Sequence, residues 1–164
     1  MKEDEHKSIE SRDEMEAFLH EEVVGCLGLC MDGKPYVVPL NYSYHDGKIL
    51  FHSALEGKKL DCIRANPNVC FTVARQSGEL RQHVVGCTCE VDSDGVICTG
   101  TARIIEDVEE RAAALNAFNR WFQPDADDIP VERALKCAVV EITVSEMTGR
   151  REREQKRTFW RHTF

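Results

Sequence analysis

The segment F-H-S-A-L-E-G-K-K-L at 51–60 gathers the side chains best suited to chemistry. It supplies an imidazole (His52), a hydroxyl (Ser53), a flexible Gly57 and two ammonium groups, Lys58 and Lys59. The pattern around it reads strand, then helix, so the lysines fall at a helix N-terminus. Unpaired backbone N–H groups and the helix dipole favour an anion there. The chain has no Walker loop and no G-x-G-x-x-G. On spacing alone the lysines serve equally well as a solvated first turn. His52 is the candidate for proton transfer, because an imidazole titrates near neutral pH.

The second chemical candidate is a set of eight cysteines, at 26, 30, 62, 70, 87, 89, 98 and 137. Metal spacing fails, with no C-x-x-C, no C-x-x-C-H and no H-x-x-x-H partner motif. Strand alternation puts Cys26 and Cys30 on one face, and likewise Cys87 and Cys89. The expectation is small buried hydrophobes, with no metal.

These groups sit on a chain of 164 residues, the size of one domain. Its formal net charge of −8 argues against a general nucleic-acid binder. No apolar run reaches a membrane span, and the start, MKEDEHKSIESRDE, is unlike a signal peptide. A cytoplasmic location is expected. Residues 1–22 carry a net −6 and residues 150–164 a net +4. That basic tail interleaves Phe159, Trp160 and Phe164 with Arg157, Arg161 and His162. Aromatics in a tail dock onto their own domain or onto a partner subunit.

The elements that must position the site read as follows. Ser11 with Glu14 opens a helix with Met15, Phe18 and Leu19 on one face. VVGCLGLC (23–30), PYVVPLNYSYH (35–45) and KILFHSA (48–54) form a meander set by Asp32-Gly33 and Asp46-Gly47 turns. Pro39 inside the second strand implies an edge, a bulge or a ligand-facing backbone. A short helix follows over 56–67, then a strand at 68–75 and a polar loop at 76–83. Strands 84–91 and 96–106 flank a D-S-D-G hairpin. Asp107 caps a helix, with Glu110 closing a capping box and Ala114, Leu115, Phe118, Trp121 and Phe122 on its apolar face. A loop spans 123–130 and a last strand 137–144. Hairpins rather than alternating long helices predict a mainly β barrel with helical additions.

The run VPLNYSYHDGKILFHSALEGKKLDCIRANPNVCFTV (38–73) resembles the FMN-binding split-barrel superfamily of pyridoxamine-5′-phosphate-oxidase-like proteins. Within it, the run is most similar to the nitroimidazole-resistance branch. P-Y-V-V-P-L (35–40), G-K-I-L-F-H-S-A, G-K-K plus helix, and N-P-x-V-x-F (66–71) carry the likeness. G-T-A-R-I-I-E-D-x-E-E (100–110) and V-E-I-x-V-x-x-M-T-G-R (140–150) extend it. The resemblance implies a six-stranded antiparallel Greek-key split barrel over residues 1–150, followed by the tail at 151–164. It implies a homodimer with FMN at the interface. Pro39, Leu40, Asn41 and Tyr42 would run beside the isoalloxazine ring, offering backbone hydrogen bonds. His52, Ser53, Lys58 and Lys59 would hold the ribityl phosphate, with His52 also catalytic. The chain departs from true pyridoxamine phosphate oxidases, which carry an arginine-rich signature where it has S-A-L-E-G-K. That departure weighs against vitamin B6 oxidation.

The implied activity is an FMN-dependent oxidoreductase acting on small electron-poor acceptors such as nitroaromatics. NAD(P)H or a redox protein would be the donor. The rival is a non-catalytic flavin- or haem-binding protein for storage or sensing. A third reading gives the cysteines a redox or metal-sensing role.

Overall fold

In the computed structural model β2 (Lys34–Asn41) and β3 (Ser43–His45) stand at opposite ends of one strand order, β2-β1-β5-β6-β7-β4-β3. Only Tyr42 separates them in the chain, so the two ends of the sheet must lie together and the sheet wraps into a barrel. The other strands are β1 (Val24–Met31), β4 (Lys48–Ser53), β5 (Asn68–Arg81), β6 (Glu90–Ile104) and β7 (Ala138–Arg153). β8 (Lys156–Thr163) pairs with β7 beside this order. All pairings are antiparallel. The structure describes residues 11–81, 90–153 and 156–164. Cys87, Cys89 and most of the strand expected at 84–91 lie outside them.

Local chemistry sets the hairpins. Asp32 and Gly33, then Asp46 and Gly47, all take positive φ, from 41° to 80°. That is the paired left-handed geometry of tight two-residue turns. Pro39 lies on β2, whose second edge has no partner strand among the described residues, as suits a residue without an N–H.

The mainly β class and the barrel hold, with eight strands among the described residues in place of six. One extra strand comes from the break at Tyr42. Another comes from the tail, because β7 runs through residue 150 and β8 continues the same sheet. Phe164 packs beneath the Arg12 guanidinium, 4.3 Å from the ring centroid, so the tail's end docks on its own domain. The expected loop at 76–83 is instead part of β5 up to Arg81. The expected D-S-D-G turn lies within β6, paired with β5. There Asp94 is buried and accepts a bond of 2.8 Å from Arg151 Nε. Arg75 Nε stands 3.8 Å from its other oxygen. Two long-range cations override the local turn preference.

Among the described residues, four helices decorate the barrel: α1 (Arg12–Glu21), α2 (Lys58–Ala65), α3 (Val108–Phe122) and the short α4 (Val131–Ala134). Ser11 caps α1 by accepting from Glu14 N, and Asp107 caps α3 by accepting from Glu110 N at 2.8 Å. The Glu110 carboxylate does not complete a capping box; it pairs with Arg103 instead. α1 buries Met15, Phe18 and Leu19, and α2 buries Leu60, Cys62 and Ile63. Asn66, just after α2, donates to Cys30 O at 3.2 Å and pins the helix end to β1. α3 lies across β4 and β7 and joins α1 through His20, which stacks on Trp121 at 4.5 Å.

Candidate functional site

Gly57 starts α2 with φ +136°, a value side chains resist, and a Cβ there would meet nothing within 4 Å. Its carbonyl accepts from Leu60 N and Asp61 N, closing the first turn. Lys58 and Lys59 occupy that turn. Among the described residues neither lysine has an ion-pair partner. The Lys58 ammonium lies 4.4 Å from the centroid of the Tyr36 ring on β2. Lys59 is half-buried, its Nζ 6.0 Å from the Phe51 ring centroid. Desolvation lowers its pKa. A partly desolvated ammonium with no carboxylate is the environment a phosphate dianion satisfies.

β4 delivers His52 and Ser53, paired with Val139 and Ala138 of β7. The imidazole meets Phe118 of α3 edge to face, centroids 4.9 Å apart. Desolvation first, and the Lys59 charge second, lower its pKa from the ordinary value. At neutral pH the ring is therefore uncharged, with one N–H to donate and one bare nitrogen. Ser53 Oγ donates to Ala54 O at 2.9 Å, a local bond.

The 39–42 segment divides its side chains. Pro39 is exposed, on the outer face with Val37; Leu40 packs against the core. Asn41 Nδ2 donates to Val23 O at 3.1 Å. Tyr42 is fully buried, its hydroxyl donating to Leu19 O at 2.8 Å and its ring 4.9 Å from Phe71. Tyr42 can reach a ligand only through its backbone. Sequence analysis thus found the lysines and His52, and the structure brings Lys59 and His52 together. It missed Tyr36 and Phe118 as their neighbours, since neither is close in sequence.

It also missed the outer face of the sheet. Val69, Phe71 and Val73 point inward, while Cys70, Thr72 and Ala74 point outward. A groove of about 600 Å³ there is lined by Gly28, Cys30, Pro35, Val37, Cys70 and Thr99. A second, of about 580 Å³, is lined by Thr72, Ile97, Thr148, Arg150 and Arg161. The expected burial of the cysteines holds for Cys62 and Cys98, the latter pushed up to about 12 by burial. Cys26, Cys30 and Cys137 are only half-buried, and Cys70 is exposed. The outward half of each strand's alternation is the reason for Cys26, Cys30 and Cys70. Among the described residues, no three His, Cys, Asp or Glu side chains form a metal-binding group. No helix among them is long and apolar enough to cross a membrane.

Comparison with known proteins covers most of the chain. The family model described as pyridoxamine 5'-phosphate oxidase matches residues 11–151. A candidate 5-nitroimidazole antibiotic resistance protein of Bacteroides thetaiotaomicron VPI-5482 is 29% identical. Its structure superposes with a TM-score of 0.75 over 86% of this chain and 84% of that one. A FAD-binding protein of Mesorhizobium loti is 25% identical, with a TM-score of 0.63 over 87% of this chain and 96% of that one. An uncharacterized protein of Rhizobium meliloti (strain 1021) is 34% identical over 64 residues, 39% of this chain. The match spans 42% of that curated relative's length.

Proposed function

From the premise that this chain belongs to the pyridoxamine 5'-phosphate oxidase family, we propose that it is an FMN-dependent oxidoreductase reducing small electron-poor acceptors such as nitroaromatics. The observation that carries the reading is the pair Lys58 and Lys59 at the start of α2, without carboxylate partners among the described residues, with Lys59 close enough to act on His52. When bound, the flavin supplies hydride transfer. Lys58 and Lys59 neutralise its phosphate, and the backbone N–H groups of the first α2 turn add donors. The free edge of β2 near Pro39 offers backbone groups to a flat polar ring. His52 orients the acceptor through its ring N–H and can take up a proton at its bare nitrogen. Kinship with the Bacteroides protein supports the nitroaromatic class. The electron donor in this reading is NAD(P)H or a redox protein.

The same reading makes the protein a homodimer with the cofactor at the interface. The outer sheet face supports it: Val24, Val37 and Ile97 are 52%, 62% and 45% exposed there, an apolar surface that a second copy would cover.

The test is loading and turnover. Purified protein is titrated with FMN and with FAD and followed by flavin absorbance, then assayed with NADPH and a nitroaromatic acceptor. FMN uptake is expected, weakened about tenfold or more for each lysine in Lys58→Ala and Lys59→Ala, the scale of one lost charge-assisted bond. A protein that takes up no flavin refutes the proposal. Bound flavin that no donor and acceptor pair turns over favours the storage or sensing alternative.

A further inference from the structure

Lys58 is an exposed, flexible side chain, yet its ammonium rests at 4.4 Å from the Tyr36 ring centroid. That is within the range of a cation–π contact. The ring is a fixed platform. Tyr36 pairs with Leu29 in the β1–β2 ladder, is half-buried and packs against the barrel core. Tyr36 shares its strand face with Val38 and Leu40, and all three pack against the barrel core. A ring has few rotatable bonds and a lysine stem has four. An ammonium resting on a ring face still keeps its N–H donors for an anion. The contact also joins the two separate pieces of the proposed cofactor cradle, the edge strand β2 and the start of α2.

We propose that Tyr36 is a positioning residue for anion binding: its ring pre-sets the Lys58 ammonium at the α2 N-terminus before the ligand's phosphate arrives. This rests on the flavin reading and deepens it, naming a residue that acts through Lys58 and not on the ligand.

The experiment is a double-mutant cycle on the full chain, with FMN as the probe and Kd read by flavin fluorescence. The proteins are wild type, Tyr36→Phe, Tyr36→Leu, Lys58→Ala and Tyr36→Leu with Lys58→Ala. Thermal unfolding of each checks that the barrel is intact. Tyr36→Leu keeps apolar bulk but removes the ring face, and is expected to raise Kd about two- to fivefold, the scale of an exposed cation–π contact. Tyr36→Phe keeps the face and stays within about twofold of wild type. In the Lys58→Ala background the leucine substitution adds nothing. An equal loss with and without Lys58 refutes the proposal, because Tyr36 would then act elsewhere. Unchanged or tighter binding in Tyr36→Leu refutes it too, the latter by showing that the ring holds Lys58 away. If Lys58→Ala itself binds FMN like wild type, the phosphate reading fails first and takes this inference with it. Loss in Lys58→Ala with none in Tyr36→Leu overturns the inference alone.

Discussion

Glu141 is the place where a single substitution should loosen the frame around His52. It is 8% exposed on β7, opposite Leu50 of β4 and Arg103 of β6. Its carboxylate accepts from Lys48 Nζ at 3.0 Å and Arg103 Nε at 2.9 Å. Arg103 also holds Glu110 in the first turn of α3, and α3 carries Phe118 against His52. Burial pushes the Glu141 pKa up, but bonds from Arg103 and Lys48 outweigh it and the net value falls below the ordinary one. Breaking a buried pair costs about 3–5 kcal/mol when the remaining charge is stranded. Here Lys48 and Arg103 are 51% and 47% exposed, so both can rehydrate, and Arg103 keeps Glu110. The discounted cost of Glu141→Ala is about 1.5–3 kcal/mol. For a chain of this size that lowers Tm by roughly 4–10 °C at pH 7. A depressed carboxylate pKa gives stability that is present above the unfolded value and disappears as pH falls through the folded one. The gap between wild type and variant should therefore close as pH drops below about 4.5. Thermal unfolding by circular dichroism, stepped from pH 7 into acid, reads both quantities. A variant as stable as wild type at pH 7, or a gap that does not narrow in acid, refutes the reasoning.

Two further outcomes follow from the site and the sheet. His52 should titrate below an ordinary histidine in an NMR pH series of its ring protons. Phe118→Leu and Lys59→Ala should each move it upward, because one admits water and the other removes a cation. Because its folded pKa is lowered, His52 contributes stability above the ordinary histidine value that is lost as pH falls through the folded one. An unshifted His52 in wild type would remove the desolvation on which this rests. Gly100→Ala should be poorly tolerated. Its Cβ would overlap the Thr143 carbonyl oxygen, backbone that cannot swing aside, where the β6–β7 register shifts. Overpacking of that kind costs about 1–3 kcal/mol, so a Tm equal to wild type would contradict the register.

What the sequence reveals here is what depends on near neighbours. Asp32-Gly33 and Asp46-Gly47 are readable because a positive φ is a property of two adjacent residues. Lys58 and Lys59 are readable because a helix start is local. The same local rule misreads D-S-D-G, since Asp94 is fixed by Arg75 and Arg151, neither of them near in sequence. It misreads Glu110 for the same reason, because Arg103 across the turn outcompetes the cap. The site repeats this division. His52 and Lys58 come from one short segment, but the rings they meet, Phe118 and Tyr36, come from α3 and β2. Only the packing of those elements on the barrel decides which ring meets which cation. Burial of cysteines fails where strand alternation is read without knowing which face is inside. Leu27, Leu29 and Phe71 fill the barrel, so Cys26, Cys30 and Cys70 must face outward whatever their own hydrophobicity. An outer face built from thiols, hydroxyls and small apolar groups has poor packing value within one chain. Its composition fits the surface that the proposed second copy would cover, whereas Leu27, Leu29 and Phe71 already fill the barrel interior.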